Sequence, residues 1–326
     1  CYVHLTKGQM EREANLLTVQ QWISIMGQAV DAGMMHADLT GGECLSYPGF
    51  KDVYLYLRSR GVEVSILTNG QLITEEMADF FAQYPPSVIQ ITVYGSDEDA
   101  YEAVTGRRAF GDVKAAIESL KRRNIRLFLA VTPNRYMQED THALMEFLRS
   151  LDVRYGIGTG SLPARPDTGR NLESYAPEPA LYVKLHLDEQ RYLRGLEDSP
   201  APARPYVDYI PTGFHTESKI PCSSGLCAFH INWKGEMSPC IPFHSINRSV
   251  LEHGFEDCWN WIKAQMRSYE PPKECSDCAN RLVCAACPAE RTSGVLGGSL
   301  NKAVCERYEQ YVRAGILQIP QDDKCK

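Results

Sequence analysis

The sequence predicts an α/β protein, a parallel sheet alternating with helices, followed by a small cysteine-rich domain. Three observations carry this. Strand-like runs and helical-period stretches alternate from residue 18 to residue 157. Polar, glycine-containing words recur where the strands end. Eight cysteines then fall between Cys222 and Cys305, with Cys258 lying apart between their two groups.

The elements follow in order. Thr18–Gly33 reads as a helix, with Thr18 as its cap and Trp22, Ile23, Met26, Ala29 and Val30 on one face. The short stretch His36–Thr40 leads into Gly41-Gly42-Glu43. Next come a helix over Lys51–Arg60 and a strand over Val62–Leu67 that ends at Thr68-Asn69-Gly70. Thr74–Gln83 is a helix with Thr74 as N-cap and an acidic first turn, as the helix dipole prefers. Val88–Tyr94 is a strand, Asp112–Arg123 a helix, Ile125–Val131 a strand, Thr141–Leu151 a helix and Val153–Ile157 a strand. Strands separated by helices of this length imply right-handed βαβ units. Five strands follow Cys1, and a sixth is expected before it.

Ligands of parallel α/β folds sit at the carboxyl ends of strands. Thr40–Glu43, Thr68–Gly70, Thr92–Gly95 and Thr132–Asn134 stand at such ends. One such word is more often a turn; four on one side of a sheet point to a pocket.

The cysteines read Cys222-x4-Cys227-x12-Cys240, then Cys275-x2-Cys278-x5-Cys284-x2-Cys287, then Cys305. Soft thiolates at Cys-x2-Cys spacing suit zinc or iron–sulfur clusters, and eight supply two four-ligand sites. Disulfides and two structural zincs are the competing readings. Clustering of the thiols in one C-terminal block favours metal over disulfides and points to the cytoplasm. Hydrophobic content of 44% and charged content of 23% are ordinary for a globular protein. A net charge of -7 gives no reason to expect nucleic acid, and no apolar stretch is long enough to span a bilayer. There is no secretory signal at the start, and the chain, which does not begin with Met, reads as a fragment.

The words together resemble the radical S-adenosylmethionine (radical SAM) enzymes that carry a C-terminal SPASM domain. In that family a partial (βα)6 barrel holds a [4Fe–4S] cluster on Cys-x3-Cys-x2-Cys after strand one. Cys1-Tyr2 resembles the end of that motif, which implies that strand one and two cluster cysteines precede this chain. Leu39-Thr40-Gly41-Gly42-Glu43 resembles the word that meets the methionyl amine of S-adenosylmethionine, with Cys44 where the family usually has Pro. Leu67-Thr68-Asn69-Gly70 resembles the strand-three end. Gln90–Tyr94 followed by Gly95 resembles the strand-four word, with Thr92 in the cofactor-bonding position. Val104 stands where an arginine is usual, and Arg107 or Arg108 is the nearest substitute.

The back half resembles SPASM in Cys222, Gly235-x4-Cys240, Cys275, Cys278, Cys284, Cys287 and Cys305, with one x2 spacing where x3 is usual. The resemblance implies two auxiliary [4Fe–4S] clusters, one on Cys222, Cys227, Cys240 and Cys287, the other on Cys275, Cys278, Cys284 and Cys305. It also implies a radical SAM core over residues 1–196, which is TIM-barrel-like, and an auxiliary-cluster domain over 197–326. Between them, the polar stretch Ser161–Pro179 is either a covered linker or a strap whose Arg165 and Arg170 reach a ligand.

The activity implied is cleavage of S-adenosylmethionine to a 5′-deoxyadenosyl radical and modification of a peptide or protein side chain. A precursor peptide gaining a thioether or carbon–carbon crosslink is the first expectation, and a sulfatase-type formylglycine maturase the second. Ferredoxin or flavodoxin is the expected electron donor. A double-zinc interaction module is the alternative of another class. Cys44, Cys258 and Cys325 have no expected role.

Overall fold

A computed structural model describes residues 16–137, 141–158, 176–194, 222–243, 245–280, 284, 286–295 and 297–317. Helix α1 (Val19–Asp31) opens on a reciprocal cap: Gln21 N–H donates to Thr18 Oγ1, and Thr18 N–H donates to Gln21 Oε1. It leads to β1 (His36–Leu39), α2 (Phe50–Ser59), β2 (Glu63–Thr68), α3 (Glu75–Gln83) and β3 (Val88–Val93). Then follow α4 (Glu98–Thr105), α5 (Phe110–Arg122), β4 (Leu127–Val131), α6 (Thr141–Ser150), β5 (Tyr155–Ile157) and α7 (Pro179–Arg194).

Strands β1 to β5 form one parallel sheet in sequence order. Right-handed crossovers between successive neighbours place their helices on one face. Val64, Ile66, Ile89, Ile91, Leu129 and Val131 point to that face and are buried. With a period of two, Ser65, Leu67, Gln90, Thr92, Phe128, Ala130 and Gly156 line the other, concave face. That face mixes polar Ser65, Gln90 and Thr92 with apolar Leu67, Phe128 and Ala130. Gly156 is required: a Cβ would stand 2.8 Å from Phe128 Cζ.

The sequence pattern missed α4, since Tyr101 is its only buried residue. Its signals were nonetheless local: Asp97 caps Ala100 N–H, and Gly106 closes the helix at φ +75°. Helix α5 begins at Phe110 instead of Asp112. Its cap is tertiary, the Glu98 carboxylate of α4 accepting from Phe110 N–H and Gly111 N–H.

Beyond residue 222, β6 (His230–Ile231), β7 (Glu236–Ser238) and β8 (Arg248–Ser249) form a small antiparallel sheet. Helices α8 (Val250–His253), α9 (Phe255–Arg267), α10 (Lys273–Ser276), α11 (Pro288–Arg291) and α12 (Lys302–Arg313) complete the described chain. Helix α9 buries Phe255, Ile262 and Met266. Cys258 is fully buried in it, among these packing residues.

The cysteine-rich segment shares a core with the sheet layer through α1. Phe255, Ile262 and Met266 join the same buried cluster as Ile25 and Ala29. Leu17 N–H donates to the Trp233 carbonyl, and Phe255 N–H donates to Gln28 Oε1. Helix α7 packs against both α6 and α12. Among the described residues no helix is long and apolar enough to cross a membrane.

Candidate active site and cysteine centres

The first candidate site lies where β1 and β2 end. Pairing of Leu39 with Ile66 brings the Gly41-Gly42-Glu43 turn beside Thr68 and Asn69. The Glu43 carboxylate there accepts from Thr68 Oγ1 at 2.8 and 2.9 Å, Asn69 N–H at 2.8 Å and Leu45 N–H at 3.1 Å. Thr68 Oγ1 in turn accepts from Gly70 N–H at 3.0 Å. Glu43 and Thr68 therefore hold the loop, and what the turn offers a ligand is its backbone. Gly41 takes φ +134°, and no atom lies within 4 Å of where a Cβ would stand at Gly41 or Gly42.

Thr92 lies on the concave face, half-buried, and its hydroxyl has no hydrogen-bond partner among the described residues. Asn134, which is buried, ties the ends of β3 and β4 by donating to the Tyr94 and Thr132 carbonyls. Cys44 adjoins Glu43, and burial, reinforced by that carboxylate, keeps its thiol neutral. Arg108 is engaged at the surface by Asp99 and Glu102. Cys1, Arg165, Arg170 and Cys325 lie outside the described residues.

The second candidate is the set of thiols. All ten described cysteines are free of disulfides. Burial pushes the Cys240 thiol up to about 12, with Cys287 and Cys222 adding to the effect. Burial also raises Cys287, helped by Glu290 and Cys222. Cys305 is raised by burial and then by Cys275, Cys284 and Cys278, against Arg291. These influences link Cys240 with Cys222 and Cys287, and Cys305 with Cys275, Cys278 and Cys284. Cys287 is the residue that precedes the first turn of α11. Cys227 is exposed.

Among the described residues, no three His, Cys, Asp or Glu side chains converge on a point that would hold one metal ion. The donor chemistry nonetheless suits iron–sulfur clusters: free, soft thiols gathered in two groups whose charges repel until a cation joins them. Three other side chains that the sequence pattern did not flag lie among them. Arg291 Nη2 donates to the Cys284 carbonyl at 3.1 Å and to Cys284 Sγ at 3.6 Å. Arg307 and Glu290 form a buried two-bond pair joining α12, which carries Cys305, to α11. No spacing rule points to an arginine or a carboxylate here.

Residues 1–148 match the family model described as the Radical SAM superfamily. Over 271 residues the chain is 22% identical to a PqqA peptide cyclase from Streptomyces rochei, covering 80% of this chain and 70% of that protein. It is 23% identical to the sporulation killing factor maturation protein SkfB of Bacillus subtilis (strain 168), over 85% of this chain and 64% of that one. Among solved structures, native anSMEcpe with bound AdoMet superposes with a TM-score of 0.69 at 15% identity, covering 91% and 88% of the two chains. SuiB of Streptococcus suis bound to the precursor peptide SuiA gives 0.66 at 16% identity, covering 89% and 69%. These structural likenesses establish a shared fold.

Proposed function

From the radical SAM domain that residues 1–148 constitute, we propose that the chain is an S-adenosylmethionine-dependent enzyme that modifies a side chain of a precursor peptide, forming a thioether or carbon–carbon crosslink. The observation that carries this is the Gly41-Gly42-Glu43 turn, locked to Thr68 and Asn69 beside a half-polar concave face. Relatives named as a peptide cyclase and a killing-factor maturation protein support the peptide as substrate.

Within this reading, the backbone of Gly41 and Gly42 receives the amino-acid end of S-adenosylmethionine, while Glu43 and Thr68 keep that backbone in place. Asn69 borders the same pocket, and Thr92 offers its free hydroxyl from β3. Cys1 is one thiolate ligand of the radical [4Fe–4S] cluster. Bound together, cluster and cofactor supply a 5′-deoxyadenosyl radical that takes a hydrogen atom from the peptide. The wall of Leu67, Phe128, Ala130 and Gly156 excludes water from that reaction.

Cys222, Cys227, Cys240 and Cys287 hold one auxiliary [4Fe–4S] cluster, and Cys275, Cys278, Cys284 and Cys305 the other. The boundary near residue 196 separates barrel from auxiliary domain. Such thiolates need a reducing compartment, the cytoplasm, and a ferredoxin- or flavodoxin-type donor.

The test is anaerobic purification with iron, sulfide and zinc analysis, then incubation with S-adenosylmethionine, reductant and a candidate precursor peptide. About twelve irons, as three clusters of four, are expected per full-length chain. 5′-Deoxyadenosine and a peptide lighter by two hydrogens should follow. Zinc without iron would overturn the proposal in favour of a binding module.

A further inference from the structure

Arg291 is a half-buried cation without a carboxylate. No ion pair engages it among the described residues, and its Nε is buried with no hydrogen-bond partner. A guanidinium so placed needs a counter-charge, since an isolated buried charge is strongly disfavoured. Nη2 shows where that charge belongs, donating to the Cys284 sulfur as well as to its carbonyl.

We propose that Arg291 is the resident counter-charge of the cluster held by Cys275, Cys278, Cys284 and Cys305, and that it raises this cluster's reduction potential. The inference rests on the iron–sulfur reading above. A cluster gains negative charge on reduction, so a fixed cation and an N–H···S bond favour the reduced form. Arg291 is a positioning and tuning residue, with no contact to substrate required.

The experiment compares Arg291→Gln and Arg291→Lys with the parent full-length protein by iron analysis and by redox titration followed by electron paramagnetic resonance. With iron unchanged, the glutamine variant is expected to reduce one auxiliary cluster about tenfold less favourably. That is a fall of about 59 mV for a one-electron couple. The other midpoints should stay fixed, and lysine, which keeps the charge, should stay close to the parent.

Full iron with unshifted midpoints in the glutamine variant overturns the proposal. So does a lysine variant that shifts as far as glutamine. If glutamine loses iron, lysine decides: parent-like iron and midpoint support the assignment, whereas lost iron or a fallen midpoint overturns it. Absence of iron from the parent protein would instead overturn the cluster reading itself.

Discussion

At the ends of β1 and β2 the Glu43 carboxylate finds its donors inside the chain, the Thr68 hydroxyl, the Asn69 and Leu45 N–H groups and the Cys44 thiol. Around the thiols the reverse holds: Arg291 Nε, Arg307 Nε and the Tyr269 hydroxyl are buried with no hydrogen-bond partner. The two regions also differ in scaffold. Five paired strands carry the first, whereas helices and a three-stranded sheet of two- and three-residue strands carry the second. The loop site is thus formed with the fold and waits for its ligand. Under the proposed iron–sulfur reading, the cysteine region is completed by its clusters, as expected where metal binding and folding are coupled.

Withholding iron should give the largest effect. Protein prepared without iron should be cut by protease within residues 222–317 while the sheet core stays intact, read by limited proteolysis and mass spectrometry. Equal cutting in both regions would erase the contrast. In the loaded protein, Cys240→Ala or Cys284→Ala should each remove about four irons, one cluster. Unchanged iron in both would break the ligand assignment.

Glu43→Gln tests the other side. It replaces an acceptor oxygen by a donor facing Thr68 and Asn69. A loss of about 2 kcal/mol, or about thirtyfold weaker S-adenosylmethionine binding by calorimetry, is expected with iron in the auxiliary clusters unchanged. Parent-like affinity would mean the turn does not need its anchor.

Gly235→Ala should cost about 1–2 kcal/mol in urea denaturation, because Gly235 sits at φ +80° in the hairpin that delivers Cys240. Its new Cβ would also stand 3.2 Å from Leu251 Cγ. Gly33→Ala, at φ +98° with open space around it, supplies the strain without the contact. The first variant should therefore be the less stable of the two.

The smallest effects are those of pH, and they fall at opposite ends of the scale. Hydrogen bonds from the Ser119 side chain and from Arg123 hold the exposed Glu75 carboxylate low, at about 2. A depressed carboxylate stabilises above its ordinary value near 4.5 and loses that contribution as pH falls towards 2. Glu75→Gln should flatten the acid limb of the stability curve.

Cys240 has the opposite sign. Its folded value, raised from 9.0 to about 12, means that in iron-free protein its contribution is present below pH 9 and is lost as pH rises towards 12. Cys240→Ala should shift the alkaline limb and leave the acid one alone.

The parallel sheet was legible because alternation of strand and helix period is local. Val64, Ile66, Ile89 and Ile91 announce a strand wherever the chain later puts them. Thr18 and Thr74 were readable as caps for the same reason: the bonded N–H groups lie three residues away. The start of α5 was not readable, since its cap is Glu98 of the preceding helix. The thiol spacings announced soft-metal chemistry, yet spacing alone would have paired Cys287 with Cys284.

By itself, then, the sequence determined the order of the elements, the location of the polar strand ends and the stock of thiols, because each depends on residues near one another in the chain. Only the tertiary structure decided that Glu43 anchors its loop through Thr68 and Asn69, and that Arg291 reaches the Cys284 sulfur. Each of these is a meeting of charges or hydrogen-bonding groups whose energy depends on distance and burial, and only the folded chain fixes those two quantities.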